Sequence, residues 1–214
     1  MYPLGLLLLL LLTSLGLSGC GEPARPTVNL DRAVDIGDLD QLRRHLYWGT
    51  DINRPNTDGN YPLHVAANAG RVTIARELVR SGAHLDARDS SDRTPLETAL
   101  YHGRTRVAEM LVRQGAALDP QAMLFSLIRQ GVSGRDSLDF LTRRGADLDA
   151  LDEDGLAPLH RAIEQGRLEQ ATRLIRAGVD INLPDREGRT PLAIAQTKGQ
   201  RGIIALLKQY GARS

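Results

Sequence analysis

Five histidines, one cysteine and a scatter of aspartates are the side chains of this sequence most able to do chemistry. A metal centre needs His, Cys or carboxylate ligands spaced so that they converge on one ion. A nucleophilic site needs a Ser or Cys beside a His and a carboxylate. His45, His64, His84, His102 and His160 lie in separate segments, and no two stand at ligand spacing. No Ser, His and Asp gather into a triad, and no glycine-rich phosphate loop occurs. No cofactor and no metal are expected, and the chain reads as a non-enzyme. Asp58, Asp89, Asp152 and Asp185 are read as turn openers, because a short carboxylate bonds neighbouring backbone N–H groups. The charges of Arg88-Asp89 and Asp185-Arg186 are expected to be solvated.

Cys20 is the only cysteine, so no intramolecular disulfide can form. It follows an apolar run, Leu4 to Leu17, shorter than the roughly 20 residues a membrane-spanning helix needs. Such a run reads as a secretory signal. Leu17-Ser18-Gly19-Cys20 resembles a bacterial lipobox, although no Lys or Arg precedes the run. The resemblance implies a signal peptide over 1–19 and a lipidated Cys20. It also implies a membrane anchor, with Gly21 rather than Asp favouring the outer membrane and a periplasmic setting. Residues 20–28 form a short tether, Pro-rich and without an apolar anchor. It is expected to be extended, with a reach of about 25 Å.

Composition closes off other classes. The formal net charge is +1, with no basic excess for nucleic acid to recognise. Aromatic residues make up 4% of the chain and Trp48 is the only tryptophan, too few for a base- or sugar-stacking surface.

The elements that must position these side chains announce themselves by repetition. Asn60-Tyr61-Pro62-Leu63-His64-Val65-Ala66 returns 33 residues later as Arg93-Thr94-Pro95-Leu96-Glu97-Thr98-Ala99. Leu156-Ala157-Pro158-Leu159-His160-Arg161-Ala162 and Arg189-Thr190-Pro191-Leu192-Ala193-Ile194-Ala195 are two further copies. Each is followed by a glycine (Gly70, Gly103, Gly166, Gly199), an apolar helix-like run and a second glycine (Gly82, Gly115, Gly178, Gly211). A period of this length means stacked supersecondary units rather than one closed core. Proline fits the first turn of a helix, and a Thr or small residue before it caps that helix.

The pattern resembles the ankyrin repeat from about Leu30 to Ala212. The resemblance implies an all-α solenoid of about six helix-turn-helix units with β-turn fingers. The units fall at about 29–55, 56–88, 89–121, 122–151, 152–184 and 185–214. The first lacks the Thr-Pro-Leu-His phrase and carries Leu30 to Gly37 in its place, as an N-terminal cap.

The fourth unit departs from the rule. Gly115 to Gly145 is 30 residues, and Pro120-Gln121-Ala122-Met123-Leu124-Phe125 replaces both the turn and the phrase. Aligning Gly131 with the other inter-helix glycines leaves the turn short and the loop Gly131 to Asp136 two residues long in excess. A finger should be absent from the middle of the concave face, with a longer loop on the opposite edge. Drift of an internal repeat and a notch shaped for a partner both account for this.

In ankyrin proteins the fingers and first-helix ends form the binding face, so the resemblance implies that Asn60, Asn68, Arg93, Tyr101, His102, Leu156, Glu164 and Arg189 contact a protein partner. Tyr101 and His102 are expected beside the notch, since aromatic anchors favour interface centres. Leu156 replaces a polar finger residue and is expected to be exposed. The implied function is a membrane-anchored, non-catalytic protein-binding module in the bacterial periplasm, acting as an inhibitor, an immunity-type factor or an enzyme-supporting scaffold. Its partner is unidentified, and neither nucleic acid nor a small-molecule cofactor is expected. The rivals are an envelope-organising lipoprotein without a single partner, and a ligand-binding or enzymatic lipoprotein using Tyr101, His102 and Arg129.

Overall fold

The computed structural model describes residues 22–213, and Cys20 with the signal segment lies outside them. Among the described residues the fold is all helical. Six hairpin pairs follow in order: α1 (Leu30–Ile36) with α2 (Leu39–Tyr47), α3 (Pro62–Ala69) with α4 (Val72–Arg80), α5 (Pro95–Tyr101) with α6 (Thr105–Arg113), α7 (Pro120–Arg129) with α8 (Arg135–Thr142), α9 (Pro158–Glu164) with α10 (Leu168–Ala177), and α11 (Pro191–Thr197) with α12 (Arg201–Gln209). First helices pack on first helices and second on second along the whole stack. This is the all-α solenoid expected from the repetition.

The local sequence explains each hairpin. Pro62, Pro95, Pro120, Pro158 and Pro191 all open their helices, where a missing N–H leaves no bond unmade. Thr94 caps α5 and, with Glu97, closes a reciprocal capping box of 3.2 and 2.8 Å. Thr190 caps α11 at 3.3 Å. Tyr61 and Ala157 offer no side-chain cap, so the expected capping holds where the residue before Pro is Thr, or Asp119 at α7, and fails at the other two.

Second helices bury one stripe, such as Ile74, Ala75 and Leu78, or Val107, Ala108 and Leu111. The small residue expected where neighbouring helices touch stands four places before each inter-helix glycine. Ala33, Ala66, Ala99, Ala162 and Ala195 fill that place, all fully buried. In the fourth unit it is Leu127. Of the consecutive first helices, α5 and α7 are the least closely packed.

A ladder of side chains staples unit to unit. The residue after each inter-helix glycine reaches back to the carbonyls ending the preceding first helix. Arg71 Nε donates to Asp35 O at 2.8 Å, Arg104 Nε to Asn68 O at 2.9 Å, and Gln200 Nε2 to Ile163 O at 2.8 Å. Arg167 Nη1 donates to Ile128 O at 3.2 Å and Arg129 O at 3.1 Å. These bonds satisfy carbonyls that a helix end leaves open. Gly70 takes φ +72°, and a Cβ there would stand 3.1 Å from Arg104 Cδ, so the glycine leaves room for its own staple. The fourth unit has Val132 in the ladder position. Ser137 Oγ on α8 donates instead to Leu100 O at 2.6 Å, fully buried.

The N-terminal tether is not a free spacer. Pro23 O accepts from Trp48 Nε1 at 3.1 Å, and the Arg25 guanidinium lies 4.8 Å from the Trp48 ring centre. Thr27 N donates to Gln41 Oε1 at 2.9 Å, and His45 Nε2 meets Val28 O at 2.8 Å. The tether has no apolar anchor, as the sequence reads, but polar and π contacts from Gln41, His45 and Trp48 hold residues 23–28 in place of a free spacer.

Candidate binding face and its notch

Four fingers project from the stack, and the same wiring builds each. The first finger residue, Asn56, Asp89, Asp152 or Asp185, turns its side-chain oxygen back onto the N–H groups two and four places on. These bonds run from 2.8 Å (Ser91 N to Asp89) to 3.1 Å (Leu156 N to Asp152). The opener of the first finger is therefore Asn56, and Asp58 is its third residue. Asp89, Asp152 and Asp185 are buried rather than solvated, because their oxygens replace water at the turn N–H groups.

Neighbouring fingers are linked in twos. Ser90 Oγ donates to Asp58 O at 2.8 Å, and Arg186 N donates to Gly155 O at 3.0 Å. Between the second and third fingers the stack carries none. The chain passes from the end of α6 at Arg113 to Pro120 of α7 without a finger, whereas other first helices begin after a full turn. Asp119 caps α7 through Oδ1, which accepts from Gln121 N and Ala122 N at 3.0 Å each. The loop joining α7 to α8, residues 130–134, is the longest of the loops that join the two helices of a hairpin.

The absent finger bares the first turn of α7 and leaves a hollow on each side of it. The larger, of about 550 Å³, is lined among others by Asp119, Phe125, Arg129, Leu151, Glu153 and Arg161. The smaller, of about 400 Å³, lies toward Arg88, Thr94 and Glu97 and shares Asp119 and Ala122 with it. Leu151 is 40% exposed, an uncovered apolar side chain at the rim. Arg161 is committed: its guanidinium binds Asp152 and reaches Asp154 Oδ2 at 2.6 Å. Burial pushes the Asp152 carboxyl up, but Arg161 and the N–H groups of Leu156 and Asp154 outweigh burial and hold it below the usual range. With Arg161 so engaged, Arg129 shares the lining with Asp119 and Glu153, and the hollow keeps an acidic balance.

The structure sorts the residues expected to contact a partner. Asn60, Asn68, Arg93 and His102 come together around a shallow depression of about 160 Å³ between α3 and α5. Tyr101 stands at its side, with the Arg93 guanidinium 4.5 Å from its ring centre and the His102 ring 5.0 Å away. Glu164 pairs with Lys198 at 2.8 Å, and Arg189 with Asp185 at 2.8 Å, farther along the face. Leu156 is corrected: it is only 9% exposed. At the fifth finger position its apolar side chain turns out of water, where Asn60 and Arg93 stay partly in it and Arg189 stays exposed. The exposed apolar residue beside that finger is Leu151, just ahead of its opener Asp152. Its signal was legible, since the same place holds Pro55, Arg88 and Pro184 in the other units. Tyr101, His102 and Arg129 do not line one pocket: His102 belongs to the depression and Arg129 to the notch. No group of three or more metal-ligating side chains occurs among the described residues.

His64 and His160 are 1% and 0% exposed. His64 Nε2 donates to Arg93 O at 2.8 Å, tying α3 to the next finger. His160 Nδ1 accepts from Ala157 N at 3.2 Å. Burial is the main reason both rings sit below the ordinary histidine value of 6.5. The folded state thus prefers the neutral rings, whereas the unfolded chain binds protons below 6.5. Their stabilisation is complete above that value and is lost as pH falls through it toward the folded values. Thermal unfolding followed by far-UV circular dichroism should show a falling midpoint between about pH 7 and pH 5. A His64→Gln/His160→Gln variant should lose most of that slope, and an unchanged slope would assign it elsewhere.

A family profile described as ankyrin repeats (3 copies) matches residues 30–122 and 127–214. The potassium channel SKOR of Arabidopsis thaliana is 40% identical over 190 residues, covering 87% of this chain and 23% of the channel. The chain therefore spans about a quarter of the length of such curated relatives. Among solved structures, the ankyrin repeat domain of Bcl-3 is similar at 26% identity with TM-score 0.61, covering 89% of each chain. A chain in the complex of a predatory endopeptidase from Bdellovibrio bacteriovorus with an immunity protein is similar in fold. It is 21% identical, with TM-score 0.57, covering 84% of this chain and 96% of that one.

Proposed function

The chain belongs to the ankyrin-repeat family, a family of protein–protein interaction modules, and on that premise we propose that it binds one protein partner without catalysis. In this reading a lipid on Cys20 holds it at the bacterial cell envelope, on the periplasmic side of the outer membrane. The partner is blocked or scaffolded in an inhibitor-like, immunity-type or enzyme-supporting role. The apolar run 4–17 ahead of Cys20 supports the envelope setting.

The observation that carries the binding mode is the notch. An uninterrupted row of fingers would present a continuous rim. Here two linked pairs of fingers flank a hollow of about 550 Å³ that offers Phe125 and Leu151 as apolar wall, with the carboxylates of Glu153 and of Asp119, whose Oδ1 also caps α7. Its chemistry fits a partner loop with a Lys or Arg, the stem lying on the apolar wall and the head at the acids. The Asn60, Arg93, Tyr101 and His102 surface continues the contact on one side.

Crosslinking capture from intact cells tests this, comparing wild type with a Phe125→Ala/Leu151→Asp variant. The expected result is one protein enriched by the wild type and lost with the variant, as removal of central anchors costs 2 kcal/mol or more at roughly 30-fold in affinity. Equal capture by both would move the binding surface away from the notch.

A further inference from the structure

The first unit carries a pair of aromatic side chains that no neighbouring unit covers. Tyr47 ends α2 and is 56% exposed, while Trp48 follows it at 37%. Their rings meet edge to face at 5.5 Å. Both residues sit at the end of the stack, next to the strap of residues 23–28. Trp48 is held by the strap itself, through its Nε1 bond to Pro23 O and the Arg25 guanidinium over its ring. Water is an unrewarding solvent for two adjacent aromatic rings, and a cation beside them is what a headgroup layer accommodates.

The path of the chain says what covers this patch. The strap reaches Trp48 at Pro23, only three residues after Cys20 and six after the apolar run ends at Leu17. Three residues span at most about 11 Å. Whether acyl chains on Cys20 or the apolar run itself enters the bilayer, the chain leaves it next to the Tyr47–Trp48 pair. Amphipathic Trp and Tyr rings settle at the membrane–water boundary, and an arginine beside them keeps its head among phosphates.

The geometry points to the Tyr47–Trp48–Arg25 patch as a lipid-headgroup contact that fixes the orientation of the solenoid on its membrane. The inference rests on the membrane-anchored reading above. The strap, pinned at Gln41, His45 and Trp48, acts as a short rigid coupling instead of a loose leash. The first unit is then held against the lipid while the notch, three units along, is held away from it.

Trp48 is the only tryptophan, so its fluorescence reports this patch alone. The full chain, made in cells with its own leader, would be extracted and reconstituted into phosphatidylethanolamine–phosphatidylglycerol vesicles with brominated acyl chains. Flotation of the vesicles reports anchoring. The expected result is that the protein floats, that brominated lipid quenches Trp48, and that aqueous acrylamide quenches it less than in detergent. An Arg25→Ala/Gln41→Ala variant, which loosens the strap and leaves both aromatics in place, should still float but lose more than half of the lipid quenching. Flotation with no lipid quenching would overturn the headgroup contact while leaving the anchor standing. Quenching unchanged in the variant would overturn the role of the strap. Failure to float would remove the anchored reading and the inference with it.

Discussion

Phe140→Ala should lower the unfolding free energy by about 3–5 kcal/mol, the cost of emptying a large buried aromatic site. Phe140 is 2% exposed, on the inner face of α8. The face of its ring is covered by Arg144, whose guanidinium lies 3.7 Å from the ring centre, whose Nη1 donates to Phe140 O at 3.1 Å, and which also pairs with Glu109 of α6. Phe140 therefore fills the core of the fourth unit, and the Arg144 that packs on it ties that unit to the third. A solenoid is stabilised by units and by the interfaces between nearest neighbours, so damage in the middle uncouples the two ends. Trp48 reports the first unit, and circular dichroism reports all twelve helices of the described residues. In urea the two signals should coincide for the wild type and separate for Phe140→Ala, with the circular dichroism loss starting first. A coincident transition shifted by less than about 1 kcal/mol would show that the fourth unit does not couple the halves.

Gly155→Ala and Asp92→Gly should change stability in opposite directions, although the two residues hold the same place in their fingers. Gly59, Asp92, Gly155 and Gly188 are the fourth finger residues, at φ +77°, +59°, +78° and +80°. That conformation sets an L side chain against the backbone at roughly 1–2 kcal/mol. At Gly155 there is also no room: a Cβ would stand 2.4 Å from Arg186 Cβ, on the finger whose N–H bonds Gly155 O. The alanine must push the last two fingers apart, and a loss of about 2–3 kcal/mol is expected from strain and overpacking together. Asp92 already carries the strain, as a short polar residue that tolerates it. Replacing it with glycine relieves strain while adding unfolded-chain freedom, for a net gain of up to about 1 kcal/mol. Arg88, whose Nη1 donates to Asp92 O at 2.6 Å, keeps its main-chain partner in that variant. Urea midpoints of the two variants against wild type decide the matter. A destabilised Asp92→Gly would mean that its carboxylate, 3.5 Å from Arg88, outweighs the strain.

The repeat register was legible because each unit solves the same local problem with the same residues. Proline at a helix start, an alanine where helices touch and a glycine between helices are short-range requirements, readable without knowing the neighbours. The absent finger was legible for the same reason, as a count of residues between glycines. The ladder through Arg71, Arg104, Arg167 and Gln200 was not, because each bond crosses 35 residues or more of sequence to a backbone carbonyl. Backbone groups have no sequence signature.

What the sequence determined by itself was therefore the period, the fold class and the place where the row of fingers breaks. The tertiary structure decided which finger residues meet water. It turned Leu156 inward and left Leu151 at the notch. It grouped Asn60, Asn68, Arg93 and His102 around one depression, separate from Arg129, and folded residues 23–28 onto the first unit. Exposure depends on what the adjacent unit covers, and that is fixed by stacking distance and side-chain reach between units rather than by the order of residues within one.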